Sequence, residues 1–335
     1  MDWFKYLIIP AVVSYFGIIL YRRVAISRDI VANPNFRNLH ASPLPVGGGI
    51  VFSSVFVFGL VFFWWLNQIS DDLFWVLGVG GCVAALFGFL DDLKDIRASS
   101  KLAVHLLLSG WALFWLGGGP LLSIGWIPVL VAIPVTSLFL VWMVNAYNFM
   151  DGIDGMAVSG AVFVSGAITL VMLLTNSKSE FIIVPVLLLT TTSTFMVFNW
   201  PPASIFMGDS GSVFLGYIFG SLILVTAMSG EISIWTWLVV FGYYFADTTV
   251  TQIMRLILVK KWYRAHRSHA YQNLARITGS HLKVTGGVVL YNVVWILPLT
   301  LWSAMKPETA ILAVVLSITP GLIFAFKYGP MLSSS

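Results

Sequence analysis

Long apolar runs separated by short polar connectors dominate the chain. The runs are about 16–25 residues long, which matches the roughly 20 residues a helix needs to cross the hydrocarbon core of a bilayer. A transmembrane barrel would instead show alternating stretches of about ten residues. The pattern places helices over Trp3–Tyr21, Gly47–Leu66, Leu73–Leu90, Leu102–Gly117, Ile124–Val144 and Met156–Thr175. Five more fall at Phe181–Phe198, Ser212–Met228, Ser233–Leu258, Val284–Ala304 and Thr309–Lys327. The expected fold is an all-α polytopic bundle of eleven transmembrane helices, a single integral-membrane domain over residues 1–335, with the two termini on opposite sides. No fixed-period repeat or low-complexity tract interrupts it.

Composition excludes the soluble alternative. Of 335 residues, 59% are hydrophobic and only 10% charged, whereas a soluble domain carries roughly 25% charged residues. The lone cysteine, Cys82, cannot form an intrachain disulfide. The first apolar run lacks a cleavage pattern and reads as a retained helix. A net charge of +4 makes no case for nucleic acid as a partner. The location of the charges is more informative. With eleven spans, 15 of the 18 Lys and Arg residues fall on one face, and only Lys5, Lys178 and Lys306 on the other. Positive charge marks the cytoplasmic side, so the N-terminus is expected outside, in the periplasm, and the C-terminus inside. Acidic residues split nearly evenly and Asp247 lies within the ninth span.

The basic-rich face also carries the unusual polar clusters. The first, Asp91-Asp92-Leu93-Lys94-Asp95, sits directly after an apolar run, and adjacent carboxylates at an interface persist where a metal, a cation or a proton relieves their repulsion. The second runs from Asn145 through Asn148, Asp151 and Asp154 to Gly155. Its oxygen ligands at short spacing on a Gly-bent backbone suit a hard divalent cation such as Mg²⁺. The third, Phe206-Met207-Gly208-Asp209-Ser210-Gly211-Ser212, opens a helix. Helix N-terminal amides favour phosphate, and Asp209 offers a metal ligand or, alternatively, a cap. The fourth is the long late loop containing Arg264, His266, Arg267 and His269 among aromatics, an arrangement suited to an anion. A turn-rich first loop, with Arg37, His40, Pro43 and Gly47–Gly49, forms a weaker fifth element. Asp247 is a candidate in its own right, as an ionisable group inside a span, or a partner for Arg255 or another cation in assembly. Acidic loops for a metal and basic loops for phosphate, all on one face, imply metal-assisted phosphoryl-type transfer at the membrane surface to a substrate that arrives laterally.

The order and spacing of these clusters, with Asp91-Asp92, Asn145-x-x-Asn148-x-x-Asp151-Gly-x-Asp154-Gly155, Phe206-Met-Gly-Asp209-Ser-Gly-Ser212 and His266-Arg267-Ser268-His269-Ala270-Tyr271-Gln272, resemble the polyprenyl-phosphate N-acetylhexosamine-1-phosphate transferases, glycosyltransferase family 4. The late loop resembles the branch that initiates O-antigen or capsule glycans, part of lipopolysaccharide biosynthesis. The resemblance implies a UDP-N-acetylhexosamine donor, undecaprenyl phosphate as acceptor, release of UMP, Mg²⁺ (or Mn²⁺) as cofactor and a bacterial inner membrane location. It implies that Asp91 deprotonates or orients the lipid phosphate with Asp92 beside it, and that Asn148 and Asp209 hold the metal. By the same resemblance Asp151 and Asp154 serve the nucleotide sugar, and His266, Arg267 and His269 the donor pyrophosphate. Lys94, Arg37 and His40 complete the substrate-binding set. Membrane lipid is the surrounding partner, and a homodimer is an open oligomeric state. The chain departs from the family at Ala32 and Val46, where Asp and Arg are common, and it lacks the consecutive histidines of the muropeptide branch. That departure argues against a pentapeptide-bearing donor. The competing class is a secondary transporter for an anionic or lipid-linked substrate, for which inverted repeats and mid-bilayer polar groups would be expected.

Overall fold

A computed structural model describes residues 7–32, 43–124, 127–258 and 268–329. The helices are α1 (Ile8–Ser27), α2 (Gly49–Trp65), α3 (Asp71–Lys94), α4 (Ala98–Trp115), α5 (Val129–Phe149) and α6 (Met156–Leu174). They continue with α7 (Ser179–Asn199), α8 (Asp209–Met228), α9 (Ile234–Val240), α10 (Gly242–Leu258), α11 (Ala270–Thr278), α12 (His281–Met305) and α13 (Ala310–Tyr328). Two strands of two residues each, β1 (Val31–Ala32) and β2 (Leu44–Pro45), pair antiparallel with Val31 opposite Pro45.

The apolar runs are helical over most of their described residues, and the structure does not establish the count of eleven spans. Among the described residues, eight helices are long and apolar enough to cross a membrane, and α2 is a shorter apolar helix. The expected ninth span is broken at Phe241 into α9 and α10, neither of which reaches that length. α4 is the other stretch outside the eight, and its first turns carry Lys101 and His105. Within α3 and α12 the helix widens to π-helical turns at Phe74–Val79 and Asn292–Ile296.

Burial separates the centre of the bundle from its lipid-facing rim. A helix hydrophobic on all sides is stable only where apolar surroundings meet it all round, and α8 is that helix: 89% of its apolar window is buried, against 17% for α1. α8 packs chiefly between α3 and α5. The rim helices leave Ile8, Phe16, Leu107, Phe114, Val294 and Ile323 exposed, as lipid contact requires. At the end remote from the polar clusters, Trp64 stacks on Phe74 (4.3 Å between centroids) and Trp75 on Trp115 (5.2 Å), while Trp111 Nε1 donates to the Trp75 carbonyl (2.8 Å). Such tryptophan girdles sit at a membrane interface.

Candidate active site

The polar clusters converge at one end of the bundle. β2 and the turn that leads from it into α2 start the assembly: Phe206 N–H donates to Pro45 O (2.8 Å), and Gly48 and Gly49 N–H donate to Phe206 O and Met207 O (3.0 and 2.9 Å). The first loop is thereby zipped to the third cluster. Tyr21 Oη from α1 holds the same strand through Val46 O (2.8 Å).

α3 comes close against the first turn of α8. Asp92 accepts from the Asp209 and Ser210 backbone amides, Oδ1 at 2.7 Å and Oδ2 at 3.1 Å. Gly211 and Ser212 N–H turn back to the Gly208 carbonyl. Two expectations change here. The α8 amides are satisfied within the protein instead of waiting for phosphate, and Asp92 serves as the cap that satisfies two of them. A carboxylate from a neighbouring helix replaces the local capping side chain, and its bonds are charge-assisted. Asp209 is thereby released from capping and its side chain faces the cluster.

Around Asp209 lie three polar groups. Asn148 Nδ2 donates to Asp209 Oδ1 (2.8 Å) and to Ser212 Oγ (2.9 Å). Lys101, on the first turns of α4, lies with Nζ 3.4 Å from Asp209 Oδ2 and forms an ion pair with Asp91 Oδ2. Asp91 is nearly fully buried, and its Oδ1 accepts from Ile96 N–H (2.7 Å). Two carboxylates therefore share one ammonium. Sequence reasoning counted Lys101 only as an orienting charge; nothing in its neighbours along the chain distinguishes it from such a flank. Lys94, by contrast, is exposed at the end of α3. Asn148 and Asp91 were expected in loops, yet both stand on the last turns of helices, α5 and α3.

Asp151 lies on the connector after α5. Its removal from water, followed by the negative charges of Asp209, Asp92 and Asp154, pushes its carboxyl up to about 8. An unfolded Asp loses its proton near pH 4, so the folded chain binds the extra proton between about pH 4 and about pH 8. Stability should fall as pH rises through that window and level off above it. Thermal unfolding in detergent should show the midpoint dropping from about pH 6 to about pH 8, with a shallower drop in Asp151→Asn. An identical slope in the variant would remove Asp151 as its source.

Two residues expected to meet the donor are built into the scaffold. Asp154 is buried, with Oδ2 accepting from Ala203 N–H (3.0 Å) and Oδ1 lying 3.2 Å from His281 Nδ1. Its carbonyl accepts from Thr285 Oγ1 (2.7 Å), and the neighbouring Gly155 N–H donates to Asn199 Oδ1 (3.1 Å). Asp154 thus ties the 201–205 segment and α12 to the start of α6. His269 is 1% exposed, its ring between Phe149 and Tyr271 (centroids 5.7 and 5.8 Å) and its Nδ1 3.7 Å from Asp247 Oδ1. The aromatic neighbours explain its burial: the ring completes an apolar seam between α5 and α11, and Tyr271 Oη closes it by donating to Phe149 O (2.6 Å). Asp247 Oδ1 accepts from Ala270 N–H at the start of α11 (3.0 Å) and from Thr251 Oγ1 (3.2 Å), so it anchors this seam. His281, Asn199 and Asp247 as supports are legible only once the helices are adjacent. Arg37, His40, His266 and Arg267 lie outside the described residues.

The described residues contain no group of three or more His, Cys, Asp or Glu side chains set to hold a metal. The oxygens of Asp209, Ser212 and, with its amide turned over, Asn148 form a smaller donor set. That suits Mg²⁺, which is commonly held by one or two carboxylates together with substrate phosphates.

Comparison with known proteins identifies the family. The model of glycosyl transferase family 4 matches residues 74–227, the stretch from α3 to α8 that carries Asp91, Asn148 and Asp209. A probable undecaprenyl-phosphate N-acetylglucosaminyl 1-phosphate transferase of Bacillus subtilis is 29% identical over 78% of this chain and 74% of its own length. A phospho-N-acetylmuramoyl-pentapeptide-transferase of Streptococcus pneumoniae is 28% identical over 81% of this chain and 85% of its own. The corresponding transferase of Streptococcus sanguinis is 31% identical over 70% of this chain and 76% of its own. With that identity sustained over most of both chains, and the family's own model lying on the helices that build the cluster, this chain belongs to glycosyl transferase family 4.

Proposed function

We propose that the chain transfers an N-acetylated hexosamine-1-phosphate from a UDP-linked donor to undecaprenyl phosphate, releasing UMP, at the cytoplasmic end of the bundle in a bacterial inner membrane. The observation that carries this reading is the meeting of Asp91, Lys101, Asn148 and Asp209 at one end of an apolar bundle, in a chain of this family. In the balanced reaction an oxygen of the lipid phosphate attacks the sugar-bearing phosphorus. The bond from that phosphorus to the oxygen bridging it to the uridine side breaks, and UMP departs with the electron pair. A lipid phosphate is already anionic near neutral pH, so charge cancellation and alignment matter more than a strong base.

Each residue then has a physical task. Lys101 is the cation among the carboxylates and would draw the acceptor phosphate while keeping Asp91 ionised. Asp91 orients that phosphate. Asp92 acts through α8, whose first turn it holds in place. Asn148 and Asp209 are the residues that would hold Mg²⁺, or Mn²⁺ in its place. When bound, the ion would neutralise charge on the donor pyrophosphate.

The donor is read as a hexosamine without a peptide, for a surface polysaccharide such as O-antigen. Support comes from the late loop, His266-Arg267-Ser268-His269, which lacks a run of histidines, and from the N-acetylglucosaminyl 1-phosphate transferase activity for which the Bacillus relative is named. The test is a panel of radiolabelled UDP-GlcNAc, UDP-GalNAc, UDP-FucNAc, UDP-QuiNAc and UDP-MurNAc-pentapeptide with undecaprenyl phosphate and Mg²⁺, following UMP release. One of the first four should turn over and the pentapeptide donor should not. Release from the pentapeptide donor alone would reverse the branch, and release from none would reject the transferase reading.

A further inference from the structure

One turn further along α4 from the Asp91–Lys101 pair lies His105, a side chain with no task in the reading above. It is 5% exposed, and neither ring nitrogen has a hydrogen-bond partner among the described residues. Its ring meets Phe87 of α3 edge-on, centroids 6.3 Å apart and planes at 84°. Phe87 precedes Asp91 by four residues and His105 follows Lys101 by four, and residues four apart share a helix face. The two helices therefore build a stack of two layers, the ion pair above and the Phe87–His105 pair beneath, nearer the bilayer interior. The imidazole lies within electrostatic reach of both Asp91 and Lys101. Leu102 and Leu106, which flank His105 around α4, are exposed, as is Leu107 on the opposite side of the helix.

A buried imidazole with two unmet nitrogens is a disfavoured arrangement unless a ligand meets one of them, since buried polar groups are normally satisfied. The position limits what that ligand is. A phosphate monoester of a polyprenol arriving from the bilayer presents charged oxygens at the level of Lys101. Its ester oxygen and first isoprene carbons then lie one layer deeper, at the level of His105 and Phe87. The ring supplies an N–H donor to the ester oxygen, and Phe87 supplies apolar contact to the isoprene unit. We propose that His105 belongs to the acceptor-lipid subsite, donating a hydrogen bond to the phosphate end of the polyprenyl phosphate seated on Lys101. This inference rests on the transferase reading for the identity of the lipid.

The test compares His105→Leu, which removes the donor, with His105→Gln, which keeps one, in purified full-length protein in proteoliposomes. Initial rates are measured while undecaprenyl phosphate and the UDP-sugar are varied separately. The Leu variant should raise KM for the lipid by about tenfold, the effect of roughly one hydrogen bond to a charged group. KM for the UDP-sugar and kcat should stay within about twofold, and Gln should recover most of the loss. A scaffold role would move the unfolding midpoint and kcat without singling out the lipid. An unchanged lipid KM in the Leu variant, or equal losses in Leu and Gln, would overturn the proposal. Should the Leu variant not accumulate, His105→Met takes its place. Native mass spectrometry of undecaprenyl phosphate binding without donor separates this inference from the reaction itself. Binding by wild type and its loss in the Leu variant would uphold the subsite even if no UDP-sugar turned over. Equal binding by both would reject it.

Discussion

Asp209→Asn should abolish product formation while leaving the protein folded. The substitution keeps shape but removes the charge that Asn148 and Lys101 approach, at 2.8 and 3.4 Å, and it sets one amide against another at the Asn148 contact. Asp91 then keeps Lys101 to itself, and the oxygen donor set loses its only carboxylate. Removing a single electrostatic contributor to a transition state commonly costs about 10²–10³ in kcat. In the proposed reading Asp209 has two such roles, toward the ammonium and toward a metal it would hold, so a fall of about a thousandfold or more is expected in proteoliposomes. The fold should tolerate it, because the cap on α8 uses the Asp209 backbone amide and the Asp92 carboxylate, both of which persist. Asp92→Asn is the informative contrast. It weakens the cap by about 1–2 kcal/mol, so its lost activity should come with a lowered unfolding midpoint. Wild-type turnover in purified Asp209→Asn would defeat the assignment of the site.

The apolar stretches were legible in the sequence because lipid imposes the same demand on each: a run of the right length with every backbone group bonded internally. Their ends were less so. Asp91–Lys94 and Asn145–Phe149 look like loop because they are polar, yet both are helical. The motifs located Asp91, Asn148 and Asp209, and the structure brings all three together. Lys101 was invisible as a site residue, since a lysine after a span serves orientation equally well. Asp92 and Asp247 share a further property that spacing along the chain cannot carry. Asp92 accepts from the first two backbone amides of α8, more than a hundred residues on, and Asp247 from the first amide of α11 across the late loop. His269 was read as a donor contact from its basic neighbours, but Phe149 and Tyr271, one of them 120 residues away, decide its burial.

The largest structural effect is expected at a residue with no polar chemistry, Gly88. A Cβ there would lie 2.2 Å from the Asp209 carbonyl oxygen, 2.5 Å from its carbon and 2.7 Å from Ser210 N. All three are backbone atoms, so no rotamer change can relieve the clash. Gly49 of α2 stands in the same relation to the opposite side of that turn, with Gly211 N 2.2 Å from its Cβ position. The first turn of α8 is gripped between two glycines, and relief requires α3 to move away. Asp92 lies four residues beyond Gly88 on the same face of α3, so that movement pulls its carboxylate from the Asp209 and Ser210 amides. Gly88→Ala should therefore add an overpacking cost of about 1–3 kcal/mol to the lost cap. The expected readouts are a lower yield in the membrane fraction, an unfolding midpoint several degrees lower and little or no UMP release. Gly110→Ala supplies the control. It lies in the middle of α4 with nothing within 4 Å of its Cβ position, and alanine is the better helix former by about 1 kcal/mol. It should match or exceed wild type in stability and turn over normally. Wild-type melting and turnover in Gly88→Ala would show that α3 and α8 can separate at this turn without disturbing Asp209, and that the glycine contact does not set the geometry of the site.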